Sequence, residues 1–131
     1  MYTRLHQFNI LSIPCSTGEE PFSIAMHLID NGLPEQCLNI DAVDISSRAL
    51  DYAAQGTYGK NSFRGNGYQA YQHKYFHQTG ELFKLEELIH KKVNFSRLNI
   101  LHGDELRREK YDFILCRNLL IYFDVATNHT A

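Results

Sequence analysis

The sequence lacks the features that mark several classes of protein. No apolar run approaches the ~20 residues of a membrane-spanning helix, so we expect no membrane insertion and a soluble, cytoplasmic protein. The formal net charge is only −2, which gives no electrostatic reason to expect a nucleic-acid partner. Three cysteines, Cys15, Cys37 and Cys116, form no CxxC pair, and their odd number favours reduced thiols. With 131 residues, the chain makes one domain at most.

A loop near the N-terminus also lacks the three glycines of a dinucleotide-binding fingerprint. Residues 12–23, SIPCSTGEEPFS, follow the apolar run Phe8–Leu11 and lead into a segment with helical apolar spacing. The loop contains one glycine, Gly18, and two carboxylates, Glu19 and Glu20, come directly after it. Negative charges suit a helix N-terminus but repel a pyrophosphate. The loop therefore favours a ligand with ribose hydroxyls or an ammonium group over NAD.

Strands and helices alternate on both sides of a segment that breaks the rhythm. We predict a parallel sheet with right-handed crossovers from this alternation. Residues 57–80, in which glycines are interleaved with aromatics, are predicted to be irregular or short-stranded rather than a helix of this fold. The predicted strands cover about 8–13, 38–44, 93–99 and 111–116, and the predicted helices cover about 19–31 and the segment from an N-cap at Ser46 to Gly56.

Two motifs make the interpretation specific. CSTGEEPFS at residues 15–23 and FILCRNLLIYFD at residues 113–124 together resemble the CheR-type family of S-adenosylmethionine-dependent chemoreceptor methyltransferases. The resemblance runs from about Phe8 to Asp124. It implies an α/β fold, a Rossmann-like class I methyltransferase core with an incomplete parallel sheet and a small inserted antiparallel β-subdomain at about residues 57–92.

The same resemblance implies that the family's catalytic domain extends beyond this chain. We expect residues 1–131 to be the central fragment of that domain, with the family's N-terminal helical domain, its arginine-bearing segment and its last strands absent. The last strand would then be an exposed sheet edge, which invites self-association. The family's glycine-rich docking loop is matched here by Tyr75–Glu81, which contains one glycine.

One acid is predicted as a ribose ligand from its position as well as from the resemblance. Asp44 ends the second predicted strand about two dozen residues after Gly18, where doubly wound folds place an acid on a ribose. Two alternatives stay open: Asp44 caps the next helix, although Ser46 suits that role, or Asp41 in mid-strand is the ligand. The resemblance also implies a cofactor contact at Glu20, and the alternative is that Glu19 and Glu20 only complement the helix dipole.

The remaining site residues come from the family's motif. The resemblance implies that Ser16–Gly18 form a backbone cradle, that Asn99 and Ile100 bracket the adenine, and that Asn118 and Leu119 line the second cofactor loop. Tyr122 would orient the incoming carboxylate and is the one predicted catalytic residue. Both asparagines have helix capping as an alternative. No metal site is expected, because His73 and His77 have no carboxylate at ligand spacing.

The resemblance implies methyl transfer from S-adenosyl-L-methionine to glutamate side chains of a methyl-accepting chemoreceptor cytoplasmic domain, for chemotaxis adaptation. S-adenosyl-L-homocysteine is the expected product, and no metal is required. Two alternatives are a catalytically inactive fragment or oligomerising cofactor-binding module, and an O-methyltransferase that acts on another protein or a small molecule.

Overall fold

A parallel sheet of four strands forms the centre of the molecule. The computed structural model describes residues 7–63, 68–98 and 110–115. The sheet has the order β6-β2-β1-β7, and all neighbouring strands are parallel. Its strands are β1 (Phe8–Ser12), β2 (Leu38–Asp44), β6 (Val93–Arg97) and β7 (Phe113–Leu115). The chain passes from β1 to β2 to β6 and then returns to the other side of β1. The order therefore reverses beside β1, and ligands bind at such a switch point in open α/β sheets.

Two helices connect the first three strands of this sheet. They are α1 (Glu19–Asp30) and α2 (Ser47–Gln55). Phe22, Ala25 and Met26 of α1 have the three- and four-residue spacing of one helix face, and all three are buried. They share a core cluster with Ile10 and Ile40 of the central strands. The sequence pattern therefore determines which face of α1 covers the sheet.

A second, antiparallel sheet lies between β2 and β6 in the sequence. Its order is β3-β5-β4, formed by β3 (Thr57–Tyr58), β4 (Phe76–Thr79) and β5 (Leu82–Leu85). A 3-10 turn at Lys60–Phe63 follows β3, and the short helix α4 (Glu87–His90) leads to β6. The ring of Phe63 packs edge-on against Phe76 and Phe83, with centroids 4.9 and 5.1 Å apart. The predicted fold class, a parallel methyltransferase-like core with a small antiparallel insertion, is confirmed.

Two helices in the inserted segment were not predicted, the short α4 and the longer α3. α3 (Tyr68–Tyr75) falls within residues 57–80, for which the sequence predicts only irregular or short-stranded structure. The helix lacks an aliphatic stripe, and aromatic packing holds it together with polar contacts to α1, since Tyr75 belongs to the core cluster and Tyr71 packs against it. Lys74 forms an ion pair with Asp30, and the Tyr75 hydroxyl donates to the same carboxylate at 3.0 Å. These partners are more than 40 residues away in the sequence, so no local pattern reveals them.

The other element boundaries agree closely with the sequence prediction. Ser46 caps α2, because its Oγ accepts the Ala49 N–H at 3.1 Å, and Gly56 ends the helix with φ 63°. β6 and β7 are the outer strands of the described sheet, and Phe113 is 57% exposed. Self-association through this edge stays a prediction. Within the described ranges, no helix is both long and apolar enough to cross a bilayer.

The cap of α2 gives a first test of the fold. We expect Ser46→Ala to lower the free energy of unfolding by about 1 kcal/mol, because the Ala49 N–H loses its partner at the helix start. Urea denaturation followed by circular dichroism measures the change. Ser47→Ala is the matched control, since Ser47 is exposed and is the first residue inside the helix. Equal effects of the two substitutions would contradict the capping assignment.

Candidate functional site

The loop after β1 lies at the carboxyl edge of the parallel sheet. It is tied to both neighbouring strands: the Ile13 N–H donates to the Leu115 carbonyl and the Cys15 N–H donates to the Val43 carbonyl, each at 2.9 Å. Two residues of the loop have positive φ angles, Ser16 at 52° and Gly18 at 95°. The loop therefore sits across β7, β1 and β2, at the switch point where the fold predicts a ligand.

The carboxylate of Asp44 joins this loop to the end of β2. Its Oδ2 accepts the Ser16 N–H at 2.7 Å, and its Oδ1 accepts the Ser46 N–H at 2.9 Å. Asp44 is only 8% exposed. A carboxylate has about four acceptor positions, so each oxygen keeps capacity for a further donor. Asp44 can therefore hold the loop and still accept hydrogen bonds from two ligand hydroxyls.

The alternatives to Asp44 have other partners. Asp41 accepts hydrogen bonds from the Tyr111 hydroxyl at 2.8 Å and from the Asn94 amide at 3.3 Å. It lies in mid-strand and, three residues before Asp44, points to the opposite face of the sheet. The N-cap of α2 is Ser46, as expected. Asp41 thus has other partners and Ser46 is the side-chain cap of α2, while the contact of Asp44 with a cofactor stays a prediction.

The two glutamates at the start of α1 point in different directions. Glu20 accepts a hydrogen bond at 3.1 Å from the hydroxyl of Ser12, the fully buried last residue of β1. Glu19 instead accepts hydrogen bonds from the Thr17 hydroxyl and, at 3.3 Å, from the Ser62 hydroxyl of the inserted segment. Glu20 therefore lies toward the strand ends, and Glu19 anchors the loop to the insertion. This arrangement agrees with Glu20 as the predicted ligand.

Cys15 reports the electrostatic character of the loop. Burial, and after it the negative charges of Asp44 and Glu20, raise the pKa of its thiol to about 12. With only 1% of the residue exposed, the thiol is a neutral packing group. The same charges make the loop region unfavourable for an anion such as a pyrophosphate. They suit a ligand that carries hydroxyls and a positive charge.

Gly18 is required by packing. A Cβ atom at this position would lie 2.8 Å from both the Ala53 Cβ and the Tyr58 hydroxyl oxygen, and φ is 95°. Its N–H donates to the Cys15 carbonyl at 3.0 Å. The glycine thus lets α2 and β3 approach the loop closely. A direct cofactor contact from Gly18 stays a prediction.

A large apolar cavity formed by the described residues lies away from these groups. Its volume is about 980 Å³, and its lining beside α1 is mostly apolar, including Phe8, Leu28 and Phe113. It offers few groups that orient a polar ligand, so we place the candidate site at the loop instead. Asn99, Ile100, Asn118, Leu119 and Tyr122 lie outside the described residues. His73 is in α3 and His77 is in β4, so the two do not share a helix face.

The inserted segment contributes contacts that the sequence analysis did not anticipate. The Tyr58 hydroxyl donates to the Thr17 carbonyl at 2.7 Å, in addition to the Ser62–Glu19 hydrogen bond. The partners are 41 and 43 residues apart. In the sequence, the only relevant observation was that Gly56–Tyr58 falls in the family's order of motifs. That order does not reveal which residue the Tyr58 hydroxyl contacts.

Comparison with known proteins points to one family. The model described as "CheR methyltransferase, SAM binding domain" matches residues 1–131. The chain is 48% identical over 119 residues to a probable biofilm formation methyltransferase WspC of Pseudomonas aeruginosa, covering 90% of this chain and 28% of the relative. It is 34% identical to a chemotaxis protein methyltransferase of Borreliella burgdorferi, covering 94% of this chain and 44% of the relative. For the chemotaxis protein methyltransferase of Escherichia coli, the identity is 33% and the shares are 95% and 45%. The chain thus spans less than half the length of these relatives.

The packing around Gly18 can be separated from its backbone conformation. We expect Gly32→Ala, where φ is 107° and no atom lies near the new Cβ, to destabilise the protein by about 1–2 kcal/mol. Gly18→Ala should lower the free energy of unfolding by about 1–3 kcal/mol more, because its Cβ overlaps Ala53 and Tyr58. Urea denaturation of both variants measures the difference. A Gly18→Ala variant no less stable than Gly32→Ala would contradict the close approach.

Proposed function

The chain belongs to the CheR methyltransferase family, and on that premise we propose that it binds S-adenosylmethionine and serves methyl transfer to glutamate side chains of a chemoreceptor. One observation carries the cofactor assignment: Asp44, nearly buried at the carboxyl end of β2, keeps acceptor capacity after bonding two backbone amides. A ribose presents two neighbouring hydroxyl donors, which is the chemistry such a carboxylate accepts. The proposal therefore places the ribose at Asp44.

The charge around the loop fits the rest of the same molecule. Glu20 and Asp44 supply negative charge, and the pKa of Cys15 is raised partly because of it. S-adenosylmethionine carries a sulfonium and an ammonium group, both of which this environment favours, and no pyrophosphate. We assign Glu20 to a cofactor contact and Gly18 to the wall of the site. From the family's motif we also assign Asn99 and Ile100 to the adenine, Asn118 and Leu119 to the second loop, and Tyr122 to the substrate carboxylate.

The chemistry asks the protein chiefly for orientation. S-adenosylmethionine supplies an electrophilic methyl carbon, and its transfer to a carboxylate oxygen gives a methyl ester and S-adenosylhomocysteine. A glutamate side chain with a pKa of about 4.3 is already ionised at neutral pH and needs no general base. The work of this chain is to hold the reacting groups in line and to exclude water from the carboxylate. Asp44 and Glu20 contribute to the first task by fixing the ligand against the strand ends.

A second candidate function differs in the signalling system to which the methylated receptor belongs. Among the compared relatives, the one named for biofilm formation is 48% identical to this chain, against 34% and 33% for the two named for chemotaxis. The difference favours a receptor of a biofilm-forming system over a receptor of a motility system. The chemistry of the acceptor, a glutamate carboxylate, is the same in both candidates.

Cofactor binding is the first test. We expect isothermal titration of S-adenosylhomocysteine into the chain to give micromolar binding. Asp44→Asn should weaken it about 10- to 100-fold, since a hydrogen bond to a charged group contributes ~1.5–3 kcal/mol. Asp51→Asn is the matched control, because it removes the same charge from an exposed position on α2. Asp41→Asn tests the alternative ligand.

Three results would contradict the assignment. A folded wild-type chain that binds no S-adenosylhomocysteine would show that this chain lacks a working cofactor site. Equal weakening of binding by Asp44→Asn and Asp51→Asn would show that the loss of one negative charge, and not a specific contact with Asp44, causes the effect. A loss caused by Asp41→Asn alone would move the ribose to the mid-strand acid. Circular dichroism of each variant separates these results from a loss of folding.

Methyl transfer is the second test. We expect a chemoreceptor cytoplasmic fragment incubated with the chain and methyl-labelled S-adenosylmethionine to take up label that mild base releases as methanol, the behaviour of a glutamyl methyl ester. The control is the same fragment with its acceptor glutamates replaced by alanine. Base-stable label would indicate a different acceptor atom. Binding of S-adenosylhomocysteine without any transfer would identify the chain as a cofactor-binding module without turnover.

A further inference from the structure

We propose that Tyr58, a residue of the inserted antiparallel sheet, is a positioning residue for the loop after β1. This loop, residues 13–18, is called the cofactor loop below, and Tyr58 holds it in its binding-competent conformation. The proposal rests on the function proposed above. Tyr58 belongs to β3, where it pairs with Phe83 of β5. Its hydroxyl leaves that sheet and donates to the Thr17 carbonyl at 2.7 Å, within the loop after β1. With 2% of the residue exposed, water has little access to this hydrogen bond.

The Thr17 carbonyl needs this partner because of the loop's backbone conformation. Thr17 lies between Ser16 and Gly18, both with positive φ angles, so the loop follows neither a helix nor a strand. A partly buried carbonyl in such a segment is costly to leave without a donor. The Tyr58 hydroxyl satisfies it from an element 41 residues away. The sharp loop conformation therefore depends on the inserted sheet.

The ring of Tyr58 is held so that its hydroxyl stays on target. Phe22 of α1 packs edge-on against it with centroids 6.3 Å apart, and Phe76 of β4 does the same at 6.5 Å. Burial, and next the charge of Glu19, raise the pKa of Tyr58 above its ordinary value, so the hydroxyl remains a protonated donor. Two hydrophobic neighbours on different elements thus fix the direction of one hydrogen bond.

A second hydrogen bond from the same insertion reinforces the first. Ser62, in the 3-10 turn after β3, donates to Glu19, whose other carboxylate oxygen accepts the Thr17 hydroxyl. Thr17 is therefore held through its carbonyl by Tyr58 and through its side chain by the Ser62–Glu19 link. On the other side of the loop, the N–H of Ser16 is held by Asp44. The loop is clamped between the predicted ribose ligand and the insertion.

This arrangement makes a quantitative expectation for ligand binding. Without the Tyr58 hydroxyl, the loop populates its competent conformation for a smaller fraction of the time, and the apparent Kd rises by the inverse of that fraction. A neutral hydrogen bond in a folded protein shifts such an equilibrium by about three- to tenfold. We therefore expect the Kd for S-adenosylhomocysteine to rise in Tyr58→Phe by up to about three- to tenfold, the full factor applying where the competent conformation is the minor one in the ligand-free loop.

The experiment compares two tyrosine-to-phenylalanine variants by calorimetry with S-adenosylhomocysteine. Tyr58→Phe removes the positioning hydroxyl. Tyr52→Phe is the matched control, because Tyr52 is 44% exposed on α2 and its ring centroid is 5.9 Å from that of Tyr58. We expect the first variant to bind more weakly and the second to bind as the wild type does. Equal Kd values for wild type and Tyr58→Phe would overturn the proposal.

A second readout separates positioning from stability. Titrations are run well below the unfolding midpoint of each variant, where a purely structural role leaves the Kd unchanged although the midpoint falls. Hydrogen exchange of a peptide covering residues 12–20 should be faster in ligand-free Tyr58→Phe than in wild type, and unchanged exchange would overturn the proposal. If the wild type binds no ligand, the proposed function fails, and this exchange comparison still decides the role of Tyr58. If Tyr58→Phe does not fold, Ser62→Ala gives the same two measurements, with an expected rise in Kd of about twofold.

Discussion

The hydrogen bonds of one carboxylate determine the geometry of the candidate site. Asp44 accepts hydrogen bonds from the backbone amides of Ser16 and Ser46, which lie in two separate loops. It therefore joins the loop after β1 to the loop after β2. Bonds to a charged acceptor are stronger than neutral ones, and the low exposure of this residue protects them from water. The groups that would meet a ribose are thus aligned before any ligand arrives. Preorganisation of this kind reduces the entropy lost on binding.

The inserted sheet completes the site from the opposite side. Its aromatic core would stabilise a small satellite structure by itself, yet Tyr58 and Ser62 direct their hydroxyls toward the loop after β1. The two adjacent glutamates consequently have separate tasks. Glu19 carries the link to the insertion, while Glu20 stays with Ser12 at the strand end. From the sequence alone, both carboxylates could simply complement the helix dipole. In the structure, Glu19 anchors the loop to the insertion and Glu20 is the candidate cofactor contact.

Features that depend on residues close together in the sequence could be predicted, and features that depend on residues far apart could not. The strand Leu38–Asp44 and the Ser46 cap rest on neighbouring residues, so alternation and capping rules located them accurately. The helix Tyr68–Tyr75 depends on Asp30 of α1, and the Tyr58–Thr17 hydrogen bond joins distant segments, so neither has a local signature. For the site, the motif located Asp44 and Glu20 at the edge where the structure places them. Asn99 and Tyr122 lie outside the described residues and remain predictions.

The origin of Tyr58 in the first strand of the small sheet has a consequence for how such proteins diversify. The insertion cannot be exchanged whole without loss, because its first strand also carries the hydroxyl that donates to the Thr17 carbonyl in the loop after β1. The exposed residues of β4 and the turn at Gly80 can vary without removing this hydrogen bond. A chimera that keeps residues 57–63 and replaces the following hairpin retains the loop's support. One that replaces the entire insertion loses the Tyr58 hydrogen bond to the loop unless the new sequence restores it.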